Sequence, residues 1–362
     1  MNAKTECTLP KYIALALNHS DENHAETTND SMRSMLNIII KALSPYFFAD
    51  IRHSDIQAVI MGWQVEGKSN KTICNYLAPM RKIFETATRD GVFKTNPMTG
   101  ITNPKVPKQN TYTQARKEID PYTVAEIYQI ESAETLCASG LVMTLLMIRA
   151  GLRPEEAVCA HWEGINWEEG TYTVSIVKPK TKYRCTKTTN GDRTVELDST
   201  IMKELRLHFE RTGHLAPISI SVVGRDNRTR EDVTITHMFL RAKTGQPYKD
   251  AKDFLQAYLT PTLKSLGIRE RGVSQCRKTY ACHALSAGVP LKWLAGQLGH
   301  ADTLTLEKHY AKWIPKQGDI KPTEMIEQRL DKDHRLELQR PVVAGLAWYQ
   351  RLLQSIKAVF GK

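Results

Sequence analysis

The segment Asn103-Pro104-Lys105-Val106-Pro107-Lys108-Gln109-Asn110 does most to limit how this chain can fold. Each proline fixes φ and lacks an N–H, so the stretch neither continues a helix nor sits inside a sheet. It divides the 362 residues into two units, the number such a length suggests. Its lysines suit it to lying along a phosphate backbone, and a solvated spacer reads the same way.

Before this linker, from about 30 to 100, the pattern is helical. Ser54 and Gln57, spaced as a capping box, predict a helix running to Glu66. Ser69-Asn70 offers an N-cap for the next, where Ile73, Leu77, Met80, Phe84 and Ala87 recur at helical spacing. Pro79 inside this run predicts a kink, and Gly91 and Asn96-Pro97 end it. Residues 1–28 are polar and read as a flexible segment or a short helix. Beyond the linker, helical periodicity runs from about Pro121 to Ala150. Alternation then predicts strands at Thr171–Val177 and Thr194–Leu197, after the turn residues Glu168-Glu169-Gly170. Helices are expected to resume after Asp198 and to dominate to the end. Residues 222–232, which hold three arginines, read as a polar loop, either solvated or in contact with a polyanion. In the tail, Leu346, Tyr349, Leu353, Ile356 and Phe360 form the stripe of an amphipathic helix. The fold class is mostly α with a small antiparallel β-sheet.

Lys and Arg number 50 against 39 acids, a net charge of +11. That excess favours a polyanionic partner, because each neutralised phosphate releases counterions. Seven scattered cysteines, never spaced C-x-x-C, argue against a disulfide framework and a structural zinc site. No metal-binding motif occurs, so neither metal nor cofactor is expected. No run approaches the ~20 apolar residues of a membrane span. The first thirty residues carry Lys4, Glu6 and Lys11 without an apolar stretch, so the expected location is the cytoplasm, with no membrane partner.

Three strings carry chemistry when taken together. They are Ala150-Gly151-Leu152-Arg153-Pro154-Glu155-Glu156, then Ser274-Gln275-Cys276-Arg277-Lys278-Thr279-Tyr280-Ala281, then Leu298-Gly299-His300-Ala301-Asp302. Ten residues after the histidine comes Tyr310, in His309-Tyr310-Ala311-Lys312-Trp313. In this order the strings resemble the tyrosine recombinase (phage integrase) family: its G-L-R-x-x-E box, its H-x-x-R-H-T-x-A box, and its L-G-H box with a nucleophilic tyrosine downstream. The ending looks closest to integrases of temperate phages and related mobile elements. The resemblance implies a flexible segment at 1–28, a helical core-DNA-binding (SAM-like) domain at 29–103 and a basic linker at 104–117. An α+β catalytic recombinase domain at 118–318 and a tail at 319–362 would follow.

Carried over residue by residue, Arg153 and Arg277 match the two arginines of the family. In-line attack on a phosphodiester concentrates charge on the non-bridging oxygens, and a planar guanidinium pairs with them bidentately while staying charged. Tyr310 matches the nucleophile, and the arginines are expected to stabilise its phenolate. His300 matches the box histidine, which hydrogen-bonds the phosphate or moves a proton. Lys187, six residues before Arg193-Thr194-Val195, matches the lysine that protonates the leaving 5′ oxygen; Lys180 and Lys182 remain alternatives. Ser274 stands where the family has histidine; its hydroxyl can donate one hydrogen bond but is no acid or base near pH 7. Glu156 would orient Arg153. Tyr258 and Tyr280 read as core.

The resemblance further implies double-stranded DNA recombination sites as partners and a homo-tetramer on DNA, with the tail helix docking on a neighbouring copy or packing on its own unit. An excisionase or a host DNA-bending protein could assist. The expected function is integration or excision of a mobile element through a 3′-phosphotyrosine. An invertase, a resolvase, an Xer-like recombinase, a type IB topoisomerase and a catalytically weak DNA-binding regulator are the alternatives.

Overall fold

The computed structural model describes residues 8–23, 26–105, 119–133, 137–186 and 191–310. Lys187, the linker beyond Lys105 and the whole tail from 319 lie outside them. No helix among the described residues is long and apolar enough to cross a membrane.

The first unit holds α1 (Leu9–Asn23), α2 (Glu26–Leu43), α3 (His53–Val65) and α4 (Asn70–Arg89). Of the residues expected as a flexible segment or a short helix, Leu9–Asn23 form a helix. The reason is local: Leu9, Tyr12 and Ile13 share a face and are buried with Leu36, Ile39, Phe48 and Phe84. The Tyr12 hydroxyl also donates to Asp90 Oδ2 at 3.0 Å, tying α1 to the end of α4. Among the described residues, α1 packs into the same core as α2–α4. Helix α3 starts one residue before Ser54, with Asp55 rather than Gln57 accepting the free N–H, that of Arg52, at 2.8 Å. Helix α4 opens as its sequence predicts: Thr72 N donates to Ser69 Oγ at 3.1 Å. It runs unbroken past the buried Pro79. The linker leaves along this helix, where Asn70 Nδ2 donates to Lys105 O at 2.6 Å and Arg81 Nη2 to Asn103 Oδ1 at 2.8 Å.

The second unit is organised around α6 (Ala138–Ala150), which follows α5 (Val124–Glu131). A run such as Leu141-Val142-Met143-Thr144-Leu145-Leu146-Met147-Ile148 is apolar nearly all round, so it is stable only when covered on every side. It packs against α8 (Ser199–Thr212) and α11 (Ser274–Ser286). Burying one such Leu or Met side chain stabilises by roughly 2 kcal/mol, which makes α6 the post on which the site is hung.

Two sheets replace the single small one expected. The predicted strand Thr171–Val177 breaks at Ser175 into β2 (Thr171–Val174) and β3 (Ile176–Val177), and the two halves join different sheets. With β1 (Ile165–Asn166) and β5 (Arg193–Glu196), β2 forms an antiparallel sheet in the order β1-β2-β5; Tyr172 faces Val195. With β4 (Tyr183–Cys185), β6 (Ile218–Val223) and β7 (Arg230–Ile235), β3 forms a mixed sheet in the order β3-β4-β6-β7. Helices resume at Ser199 and dominate the described residues from there, but β6 and β7 interrupt them. Ile218-Ser219-Ile220-Ser221-Val222 has the two-residue alternation of a strand, and the polar 222–232 stretch is the end of its hairpin. Residues 251–265 form one helical segment with a π turn at Leu255–Leu259 between α9 (Ala251–Phe254) and α10 (Thr260–Ser265).

Candidate active site

Two left-handed turns build the site. Helix α6 ends at Gly151, with φ at 72°, where a side chain would bring Cβ within 2.6 Å of the Tyr280 ring. Arg153 follows, at the cap of the short helix α7 (Pro154–Ala157). Helix α12 (Leu291–Leu298) ends the same way at Gly299, with φ at 66°, and His300 follows. These glycines act crosswise: Gly151 O accepts Arg277 Nη1 at 2.8 Å, and Gly299 O accepts Arg153 Nη2 at 3.0 Å. The glycine of one string therefore holds the arginine of another.

A helix ends with carbonyls that have no partner within it, and carries partial negative charge there. Three consecutive carbonyls at the end of α12 are taken by guanidiniums. Gln297 O accepts Arg193 Nε at 2.8 Å, Leu298 O accepts Arg277 Nη2 at 2.5 Å, and Gly299 O accepts Arg153. Arg193 was only a landmark in the sequence, so its place here is new. It lies on the same face of β5 as the buried Val195, and that two-residue step was the signal available. Gln297 fixes the helix to that strand, accepting from Glu196 N at 3.0 Å and donating to Glu196 O at 2.9 Å.

Glu156, 1% exposed, sits among these cations. Its carboxylate accepts from Arg193 Nη1 and Nη2, both at 2.9 Å, and from Arg153 N and Nη1, both at 2.7 Å. Burial by itself would raise its pKa. The Arg193 hydrogen bonds and the charges of Arg193, Arg277 and Arg153 outweigh burial and bring it down to about 2. Glu156 thus orients Arg153, as expected, but also grips Arg193. Three guanidiniums against one carboxylate leave a surplus of two positive charges. Arg277 and Arg193 are buried, whereas the Arg153 side chain is 30% exposed and opens towards solvent. Such a site is made to receive an anion.

His300 meets this cluster through Nε2, 3.2 Å from Arg277 Nη2. Arginine only donates, so Nε2 accepts and the proton of the neutral ring is on Nδ1. Burial first, then the charges of Arg277, Arg153 and Arg193, push its pKa down to about 4. The ring is neutral near pH 7, and its Nδ1 is buried without a hydrogen-bond partner among the described residues. Tyr310 ends α13 (Leu304–Tyr310), buried with Cys282, Leu294 and Leu306. Burial raises its phenol to about 12, and Arg277 offsets only part of that rise. In this state desolvation outweighs the expected arginine effect, and the hydroxyl keeps its proton at neutral pH.

The structure therefore brings Arg153, Arg277, His300 and Tyr310 together. Ser274 is exposed at the first position of α11, one turn before Arg277. Lys180 lies on the turn between β3 and β4 and pairs with Asp30 of α2 rather than with the arginines. Lys182 on the same turn is exposed. Lys187 lies outside the described residues, but the residues bounding it, Thr186 and Gly191–Arg193, run into the site through Arg193. Tyr258 is buried, and Tyr280 packs against Gly151.

The sequence pattern of the phage integrase family matches residues 117–315. The prophage integrase IntR of Escherichia coli (strain K12) is 27% identical over 260 residues, which cover 70% of this chain and 60% of that protein. A tyrosine recombinase XerC-like protein of Caldanaerobacter subterraneus is 29% identical over 268 residues, 70% of this chain and 65% of that one. The chain thus spans less than two thirds of these relatives. Among solved structures, the Tn1549 transposon integrase in complex with transposon right end DNA matches with a TM-score of 0.65 at 17% identity, over 89% of this chain and 99% of that chain. A lambda integrase tetramer bound to a Holliday junction matches with a TM-score of 0.59 at 15% identity, over 87% and 80%. At such identities the likeness shows a common fold.

Proposed function

Because the chain belongs to the phage integrase family, we propose that it is a site-specific tyrosine recombinase that cuts and rejoins double-stranded DNA for integration or excision of a mobile element. The observation that carries the reading is the set of three guanidiniums seated on consecutive carbonyls of α12, with surplus positive charge beside the buried Tyr310.

Each part of the chemistry falls to a residue. The scissile phosphate enters on the open side of Arg153. Arg153 and Arg277 neutralise its non-bridging oxygens as charge grows on them, and His300 adds its Nδ1–H. Arg193 and Glu156 hold that arrangement without touching DNA. Tyr310 Oη attacks phosphorus and gives up its proton to water, the P–O5′ bond breaks, and the 5′ oxygen leaves with its electron pair and takes a proton from Lys187. The phosphotyrosine conserves the bond energy, so religation by a 5′ hydroxyl consumes no nucleotide. Ser274 donates at most one hydrogen bond to the phosphate. The unit from Leu9 to 103 supplies core-site contacts from the opposite face of the duplex. Four copies act on two sites, and an excisionase or host DNA-bending protein sets direction.

The test is covalent capture. Purified protein is incubated with DNA from its source genome, stopped with detergent, and the protein-linked ends are sequenced beside Tyr310→Phe. Ends clustered at one or two inverted-repeat sites, absent in the variant, are expected. Ends spread evenly over the genome would indicate a topoisomerase. No linkage above the variant despite tight binding would leave a DNA-binding regulator.

A further inference from the structure

Helix α12 supplies the carbonyls that seat three guanidiniums, so whatever fixes α12 also fixes the site. The helix is only eight residues long, and on its buried face Leu294, Ala295 and Leu298 pack with Leu306 and Tyr310. Apolar packing has no direction and tolerates small slips. Gln297, among these residues, is 5% exposed. Burying an amide is costly unless its oxygen and nitrogen are both bonded, and here both are. The partner is the open edge of the sheet β1-β2-β5. Strand β5 is paired with β2 on one side only, and an edge strand presents outward N–H and C=O groups. At Glu196 one side-chain amide takes both: Gln297 Oε1 accepts from Glu196 N at 3.0 Å, and Nε2 donates to Glu196 O at 2.9 Å. Nε2 also lies 3.5 Å from Ala150 O, at the end of α6. The amide thus stands in for a residue of an added strand and ties together α12, β5 and α6.

Each of those elements contributes to the guanidinium set. Helix α12 gives its last carbonyls, β5 gives Arg193, and Gly151 O just past α6 holds Arg277. Gln297 meets β5 twice, through its main-chain oxygen on Arg193 and through its amide on Glu196. Two directional contacts leave the helix one register against the strand. A displacement of α12 by one residue's rise, about 1.5 Å, would carry all three carbonyls away from their arginines together. We infer that Gln297 is a positioning residue, which sets α12 on β5 so that Arg153 and Arg277 meet the non-bridging oxygens of the scissile phosphate. The inference rests on the recombinase reading, in which those two arginines touch the phosphate and Gln297 touches nothing that reacts.

The experiment uses full-length protein and a synthetic duplex of the captured cleavage site, with DNA binding and formation of the Tyr310-linked complex measured separately. Gln297→Met keeps the length of the side chain and removes the amide. It is expected to bind the duplex as wild type does and to link to it about 10- to 100-fold more slowly, the scale of a misplacement near 1 Å. Residues that act as one unit are not additive, so in an Arg277→Lys background the same substitution should slow linkage by less than about threefold more. Trp293→Phe, which removes the bond from α12 to the Glu196 carboxylate, should link normally. Gln297→Glu should be as slow as Gln297→Met while ionised. It should recover relative to wild type as the pH falls, because the protonated acid again offers an acceptor and a donor. A full further loss in the Arg277→Lys background, loss of binding in step with linkage, or an equal loss in Trp293→Phe would assign Gln297 to general stability. No loss in Gln297→Met, or no recovery in Gln297→Glu, would give it no part in aiming the arginines. Each of these overturns the inference, and if Gln297→Met does not fold, the pH profile of Gln297→Glu decides alone. If wild type forms no Tyr310-dependent link, the recombinase reading falls instead.

Discussion

Two sets of charge contacts in this molecule use the same chemistry to opposite ends. Around Glu156, the carboxylate and two of its three guanidiniums, those of Arg193 and Arg277, are buried, and their remaining donors reach backbone carbonyls. Between the two units, Lys180 on the β3–β4 turn pairs with Asp30 of α2, and Thr181 Oγ1 donates to Glu26 at 3.3 Å. There the side chains are 45% and 38% exposed, against 6% and 1% for Arg193 and Glu156. A buried charge must be fully partnered or it is costly, so the first set tolerates only one arrangement. An exposed pair competes with water and salt, so the second can part. The difference suits the proposed clamp: rigid where a phosphate would sit, yielding where the units would separate to admit a duplex.

The sharpest way to break this contrast is Glu156→Gln. It leaves Arg193 and Arg153 short of their counter-charge, and removing one partner of a buried pair costs about 3–5 kcal/mol. Denaturant unfolding reads it; a loss below about 1 kcal/mol, the size of an average point substitution, would mean that the cluster is not the rigid element. Acid offers an independent check. The Glu156 pKa is about 2 when folded, against 4.5 ordinarily. A depressed acid pKa contributes stability above the unfolded value that is lost as pH falls through the folded one. Wild type should therefore lose stability between pH 4.5 and about 2, and Glu156→Gln should lose that much less.

Next in size is Arg277→Lys. An ammonium has no planar fork to reach Gly151 O and Leu298 O together while leaving His300 Nε2 a donor. Formation of the covalent complex should fall about 100- to 1,000-fold, the usual cost of one donor at a developing oxyanion, with near-normal DNA binding. Loss of binding in step with cleavage would make Arg277 a general DNA contact instead.

How far the sequence foretold each side of the contrast follows from the same physics. Arg153, Arg277, His300 and Tyr310 were legible because each stands in a string of neighbours whose spacing carries meaning. Arg193 and Gln297 were not, because their roles depend on burial and on which carbonyls α12 presents to β5, and such long-range facts leave little local trace. The helical periodicity of α4 and its Ser69 cap were readable, since a cap is decided within four residues. Leu9, Tyr12 and Ile13 show helical spacing too, but amid polar neighbours the pattern left a flexible segment and a short helix equally open. The β6–β7 hairpin was overlooked for the converse reason. Its polar turn dominated the stretch and hid the alternation of Ile218, Ile220 and Val222. The β3–β4 turn seated on α2 could not have been read at all, because residues 180 and 30 meet only once both units have folded.

That last contact gives the smallest effect and the test that separates the two sides most cleanly. Lys180→Ala should leave the unfolding midpoint where it was, because the ion pair lost is open to solvent. What should change is the relation of the two units. Spin labels placed on α2 and on α8 should report a broader distance distribution in the DNA-free variant than in wild type. Wild type in about 1 M salt, where charges are screened beyond about 3 Å, should match the variant. With DNA bound, variant and wild type should become alike, since the duplex then sets the spacing. If the distribution stays narrow in the variant and in salt, something other than Lys180 and Asp30 holds the units together. The clamp would then be as rigid between its halves as it is around Glu156.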